Sequence, residues 1–394
     1  MRIKKYLLII MAFHILVGVA CLILPSKMDA EAQMPVDKGA SPEELSNRIL
    51  KEGLQSSDVF VRSSAIRAYG EMKEKGAVKV MAAFLKDEAV FVRLFALEAL
   101  GNLGGDDLIP YFVSALDDKD PMVRVKVIEI MGRRNGEKSL PMLKKGLNDT
   151  ETIVRLFSAG FLGKRGDKAS FDLLKRALSD KDSSTRVAAL TSLGKAKYGA
   201  LSASIENLTG DPEPIIRTNS LLSLGEIGDH KSLPVLIRSL KDPDPSAREA
   251  AASALGKIGD KGVIKTLSTL LDDKEVSVRI RAAAALKRLG RDVGDSIFRD
   301  GLKNPDYGIR HEVVGALGNL KDKAYIPLLK EALSDKSARV RIGAVRGIGK
   351  IGGDDAITAL KAALKDNDPT VRNYAAGNLL RIMRGIKLED MGDL

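Results

Sequence analysis

The stretch DPDPSAREAAASALGKIG, residues 242–259, decides how the whole chain reads. Its Asp-Pro pairs make a turn that runs into a helix, because Pro fits the first helical position and Asp caps it. Apolar residues then fall at Ala247, Ala251, Ala252 and Leu255, at −1, +3, +4 and +7 from Arg248. That is one stripe of a 3.6-residue helix. Gly259 supplies a left-handed C-cap and Asp260 the next N-cap, as Gly228 and Asp229 do one unit earlier.

Working outward, the arginine recurs every 31 residues: Arg62, Arg93, Arg124, Arg155, Arg186, Arg217, Arg248, Arg279, Arg310, Arg341 and Arg372. Eleven occurrences without an insertion define an internal repeat. Other columns keep its register. An acid stands six residues before it at Asp87, Asp118, Asp149, Asp180, Asp211, Asp242, Asp273, Asp335 and Asp366, with Asn304 and Ser56 completing the series. Leu stands at −8 except where Thr209 intrudes, and Gly at +8 in nine units, with Lys287 and Leu380 as exceptions. Each unit also holds a first helix, clearest in residues 231–241 (KSLPVLIRSLK), where Leu233, Leu236, Ile237 and Leu240 share a face.

These residues resemble the HEAT superfamily, particularly the short phycobilisome-lyase-type HEAT-like repeats. The matching text is D-x-D-x-x-V-R-x-x-A-x-x-A-L-G-x-I-G, over about residues 41–384. The resemblance implies an all-α, armadillo-type fold, a right-handed α-α superhelix of eleven 31-residue helix pairs. One pair cannot bury its apolar face alone, so neighbours must stack. The expected product is a curved rod with two designed ends. Ser41-Pro42-Glu43-Glu44 forms a capping box that starts the first helix without a preceding repeat. The last helix continues through Leu380, Ile382 and Met383 to Gly385.

Composition agrees with short helices packed through small side chains. Aromatics are 4% of the 394 residues and Trp is absent. The only cysteine, Cys21, leaves the body without a disulfide, a thiolate metal site or a cysteine nucleophile. The net charge of +11 admits nucleic acid, anionic lipid or an acidic protein as partner and does not choose among them.

Residues 1–32 read as an export segment. Arg2, Lys4 and Lys5 precede an apolar run over residues 6–24, interrupted only by His14, and Ala30-Glu31-Ala32 offers a cleavage site. Cleavage, retention as a membrane anchor through residues 6–24, and lipidation at Cys21 stay open. Each places the body outside the cytoplasm, periplasmic or extracellular. Residues 33–40 read as a linker, 41–385 as the repeat body and 386–394 as a tail.

The arginine column invites a nucleic-acid reading, but the acid column favours another. In the family the resemblance points to, arginine and aspartate form an internal ladder linking consecutive repeats, which suits a planar, bidentate guanidinium. A second basic column at +9 (Arg133, Lys164, Lys195, Lys257, Arg288, Lys350, Arg381, against Glu71 and Glu226) lies at helix C-termini, where cations meet the negative dipole end. A partner contact is the other reading of that column.

The resemblance also implies that the second helix of each pair lines the concave face. Positions +1 and +2 there are apolar early in the chain, at Leu94, Phe95, Val125, Leu156, Phe157 and Val187, with Lys126 between the phenylalanines. Later they and their neighbours turn basic or polar, at Arg281, Arg288, Arg346 and Tyr374. The expectation is a groove, greasy then cationic, holding an extended or helical protein segment with an acidic end. Burial of these side chains between neighbouring helices is the competing reading.

Enzyme activity finds little to carry it. Deoxyhypusine hydroxylase, to which GIRHEVVGALG around His311-Glu312 is similar, places several His-Glu pairs on such repeats to hold iron, whereas this chain has one. A bilin-lyase-like activity rests on the repeat subtype alone. No catalytic residue, metal ligand set or cofactor is expected, and no nucleic acid. The function expected is an exported, non-catalytic scaffold or adaptor. The alternatives are a repeat-family enzyme and a binder of anionic surfaces.

Overall fold

The computed structural model describes residues 40–73, 75–134 and 136–387. The expected export segment 1–32, its apolar run 6–24 and Cys21 lie outside the described residues, as do residues 33–39 and 388–394. Among the described residues there are twenty-two α-helices and no strand, and no helix is long and apolar enough to cross a membrane.

In chain order the helices are α1 (Pro42–Gln55), α2 (Val59–Glu71), α3 (Val78–Ala83), α4 (Val90–Leu103), α5 (Ile109–Ala115) and α6 (Pro121–Arg134). Next come α7 (Leu140–Leu147), α8 (Thr152–Lys164), α9 (Lys168–Ala177), α10 (Ser183–Ala196), α11 (Ser202–Asn207) and α12 (Pro214–Ile227). Then follow α13 (Leu233–Ser239), α14 (Pro245–Ile258), α15 (Ile264–Ser268), α16 (Val276–Arg288) and α17 (Asp295–Leu302). The last are α18 (Tyr307–Leu320), α19 (Ile326–Ala332), α20 (Ala338–Ile351), α21 (Asp354–Ala363) and α22 (Pro369–Met383). Each even-numbered helix starts 31 residues after the previous one and carries the column arginine as its fourth residue.

Local chemistry sets these boundaries. Ser41 and Glu44 form the reciprocal capping box that opens α1. Asp244 accepts the N–H groups of Ser246 and Ala247 to open α14. Gly228 ends α12 at φ 77°, a left-handed conformation that costs a glycine little, and Asp229 then caps the next turn.

The helices form two compact units, one of residues 128–295 and one joining residues 40–127 to residues 296–387. The repeat text runs through both boundaries without marking them. In the central unit, Leu190, Leu221, Leu224, Leu255 and Leu286 are fully buried in one continuous core. Each such leucine contributes roughly 1.5–3 kcal/mol of burial. The terminal unit buries Leu50, Ile66, Leu97, Leu317, Val345, Ile348 and Leu379 equally.

Successive long helices approach closely because the +8 column is glycine. A Cβ on Gly318 of α18 would lie 2.5 Å from the Gly347 Cα of α20, closer than any side chain tolerates. A similar close approach appears where the last described helix meets the first two. In the terminal unit α22 packs on α1 and α2, and a Cβ on Gly377 would lie 2.5 Å from the Ala68 Cβ. Gly377 is at +5, three residues earlier than the glycine used between consecutive repeats. Asn373, 1% exposed, donates to the Val61 carbonyl and the Ser64 hydroxyl of α2. At the surface Arg384 reaches Glu43 at 3.5 Å, an exposed pair of small energetic weight. The expectation that the first helix starts without a repeat before it is therefore corrected: α22 occupies that place.

Candidate functional site

The column arginines sit at the start of each long helix, beside the turn that precedes it. Arg217 donates through Nη1 to its own loop carbonyls, Asp211 at 3.0 Å and Pro212 at 3.2 Å. Its Nε and Nη2 grip both oxygens of Asp242 in the following repeat, each at 2.8 Å. Asp242 Oδ1 also accepts the N–H of Asp244, so one carboxylate shapes its turn and receives the preceding repeat. The acid paired with each arginine is thus 25 residues ahead, in the following repeat, while the position at −6 contributes its carbonyl.

The same fork joins Arg62 to Asp87, Arg93 to Asp118, Arg248 to Asp273, Arg310 to Asp335 and Arg341 to Asp366. Hydrogen bonds from Arg248 hold the Asp273 carboxyl below the usual carboxylate range, against the opposing pull of burial. The same bonds raise the guanidinium of Arg248. Elsewhere the pattern loosens. Arg186 stands 3.6 Å from Asp211 and bonds Glu213 at 2.7 Å, while Arg155 turns to the Thr152 hydroxyl. Asp149 and Asp180 accept the N–H groups of Glu151 and Asp182. Arg279 and Arg372 donate to their own loop carbonyls at Asp273 and Asp366, and Arg124 donates to the Asp118 carbonyl beside further interactions. These arginines are consumed by the fold.

The apolar half of the expected groove is corrected in the same way. Val125, Leu156 and Val187 are 0% exposed, Phe157 is 3% and Leu94 is 9%. Long helices drawn together by small residues press these side chains into their neighbours. Phe95 is half-buried beneath the Arg67 guanidinium, 5.7 Å from the ring centre. In the central unit Arg281 is half-buried and Arg288 is exposed at the end of α16.

In the terminal unit a polar network gathers at positions +2, +5 and +9, where Lys126, Arg346 and Lys350 are half-buried and Arg67, Glu71 and Arg381 are buried. On α2, Arg67 lies 3.4 Å from Glu71 and 3.6 Å from Glu98 of α4, which also takes Lys126 at 3.7 Å. Burial works against the Arg67 cation, but Glu98, Tyr374 and Glu71 together raise its pKa. On α20, Arg346 lies 5.6 Å over the ring of Tyr374, a cation–π contact. One turn on, Lys350 donates to the Asn319 side-chain oxygen at 2.6 Å. Its amine is lowered to about 8 by burial and by the charges of Arg346 and Arg67. Arg381 of α22 is buried, donates to the carbonyls of Gly349 and Ile386, and is lowered by that burial. His311, at the start of α18, is half-buried. Its pKa is pushed down by burial and then by Arg346 and Arg339. Among the described residues no group of three or more His, Cys, Asp or Glu is placed to hold a metal.

Long helices stacked in sequence and laced by arginine forks define the class of the molecule, an α-solenoid of helix-pair repeats. The chain belongs to the HEAT-repeat family, whose model matches residues 47–120, 87–159, 201–287 and 296–380. Curated protein sequences gave no match to it. Among solved structures, the chain is similar to human deoxyhypusine hydroxylase in complex with glycerol. That match has 21% identity over 78% of this chain and 96% of that one, with a TM-score of 0.32. It is also similar to the CpcE–CpcF complex of phycocyanin lyase from Nostoc sp. PCC7120, at 20% identity over 69% and 97% of the two chains, TM-score 0.37. A third similarity is to Kap95p bound to RanGDP, at 13% identity over 87% of this chain and 56% of that one, TM-score 0.38. All three are likenesses of fold.

Sequence reasoning placed Lys126, Arg346 and Tyr374 on this face but missed Arg67, Glu71 and Glu98 as one network. The signal was present at +5, where Arg67, Glu98 and Arg346 stand among mostly small residues.

Proposed function

We propose that the protein is an exported HEAT-repeat scaffold that holds a protein partner by an acidic segment, on the basic +2, +5 and +9 positions of the terminal unit. The observation that carries this reading is the contrast between the two halves of the expected groove. Its apolar side chains are spent on packing, whereas Lys126, Arg346 and Lys350 stay at the surface in part. Recognition by such a face is electrostatic, giving register and association rate more than raw affinity. Export is proposed from Arg2, Lys4 and Lys5, the apolar run 6–24 and Ala30-Glu31-Ala32.

The test is binding of a labelled glutamate-rich peptide in parallel with a lysine-rich peptide of equal length, at low and moderate salt. Selective, salt-weakened capture of the acidic peptide is expected. Equal binding of both peptides, or tightly bound iron near one equivalent in the purified protein, would replace this reading with another. N-terminal sequencing of protein from the cell envelope tests export and cleavage together.

A further inference from the structure

The +9 column pairs across repeats, and two of its rungs differ in one atom group. In the central unit the Lys257 ammonium bonds the Glu226 carboxylate, 31 residues back. In the terminal unit the equivalent rung is Lys350 on Asn319, again 31 residues back. The geometry is kept and the charge is lost, because an amide stands where the other rung has a carboxylate. Among the described residues no carboxylate lies within ion-pair distance of Lys350, although the group is partly removed from water.

Its surroundings do not make good the deficit. Arg346 on the same helix, Arg67 across on α2 and Lys321 after α18 all act on it as like charges, with Glu71 alone opposing them. Arg381 of α22 holds the carbonyl of Gly349, the residue just before Lys350. His311 of α18 faces the same Arg346. A partly buried ammonium with a neutral acceptor and three cationic neighbours favours any anion that can enter.

Resting on the reading above, we infer that Lys350 anchors an oxyanion site that takes one carboxylate of the partner's acidic segment, in the place that Glu226 fills for Lys257. Asn319 is exposed, so the site is open to solvent on that side. Its side chain fixes the ammonium and leaves the remaining donors to the ligand. Because the free amine titrates near 8, a bound carboxylate restores its proton. Binding therefore takes up a proton and weakens as pH rises, by about tenfold between pH 7 and pH 9.

The test is fluorescence anisotropy with a labelled octaglutamate peptide on the full chain, at pH 7 and pH 9. Circular dichroism would check each variant's folding. Wild type should lose about tenfold affinity over that range. Lys350→Gln should bind about tenfold more weakly at pH 7 and lose the pH dependence. Lys350→Arg should bind at both values without the slope, because a guanidinium does not titrate there. Asn319→Glu should fill the site from within, weakening the peptide while raising the melting temperature. If wild type binds but Lys350→Gln and Asn319→Glu match it at both pH values, the site assignment fails and the scaffold reading stands. If wild type ignores the peptide, the scaffold reading itself fails. Tighter, Lys350-dependent binding to phosphatidylglycerol vesicles than to the peptide would overturn the assignment to a protein carboxylate.

Discussion

Asn373 of the last helix donates both amide hydrogens to the first long helix, at 3.0 Å to the Val61 carbonyl and 2.8 Å to the Ser64 hydroxyl. The amide is wedged so tightly that a Cβ on Gly53 of α1 would meet its oxygen at 2.6 Å. Asn373→Leu keeps the bulk and removes the donors, at an expected cost of about 1–3 kcal/mol. Hydrogen exchange should quicken in α1, α2 and α22 and stay unchanged in residues 128–295. Unchanged exchange at both chain ends would show that this contact does not hold them.

The ladder predicts unequal losses from identical substitutions. Arg217→Ala strands a largely buried Asp242 carboxylate and should cost about 3–5 kcal/mol. Arg155 grips only its own turn and the Thr152 hydroxyl, so Arg155→Ala should cost about 1–2 kcal/mol. Urea titrations of the two variants compare them directly, and the reverse ranking would dismiss the inter-repeat fork as the stabilising element.

Phe157→Ser now carries a different expectation from a surface change. The ring is 3% exposed, so its removal should cost about 3–5 kcal/mol and reduce helicity near the melting temperature. Lys126→Ser, on the accessible face, should leave stability within about 1 kcal/mol and weaken acidic-peptide binding. A stable, fully helical Phe157→Ser would mean that the ring does not pack as described.

Stability should depend on pH through Lys350. Its folded amine titrates near 8 against 10.5 unperturbed, so the native state binds fewer protons than the unfolded state between those values. Stability from this group therefore rises with pH across that window, with the penalty full below 8 and gone above 10.5. Lys350→Met should raise the melting temperature at pH 7 and lose that advantage near pH 10.5. An advantage that is the same at both pH values would assign the effect to packing.

Much of the fold was legible because each repeat writes its own boundaries. The arginine at the fourth helical position locates every long helix, and the Asp-Pro turn and the closing glycine reinforce it in many units. Which face each side chain occupies depends on the neighbour. Helical spacing alone turned Val125, Leu156 and Val187 outward, yet the glycine contacts between long helices bury them. The packing of α22 on α1 and α2 left almost no trace: Ser63 and Asn373 are polar at +1, but so are Thr218, Glu249 and His311. Asn319 opposite Lys350 was equally faint, since a missing charge gains meaning only beside the intact rung at Glu226 and Lys257.

The partners Asn373 and Val61 are 312 positions apart in the chain. A ribosome adding about 5–20 residues per second needs roughly 15–60 s to make the stretch between them. Throughout that delay the outer side of α2 has emerged and must wait, wetted by water, for a helix not yet synthesised. An apolar row there would invite the nascent chain to aggregate. Hydroxyls at Ser63 and Ser64 can stay hydrated until α22 arrives, so the chemistry of this junction suits the order in which its two sides are made.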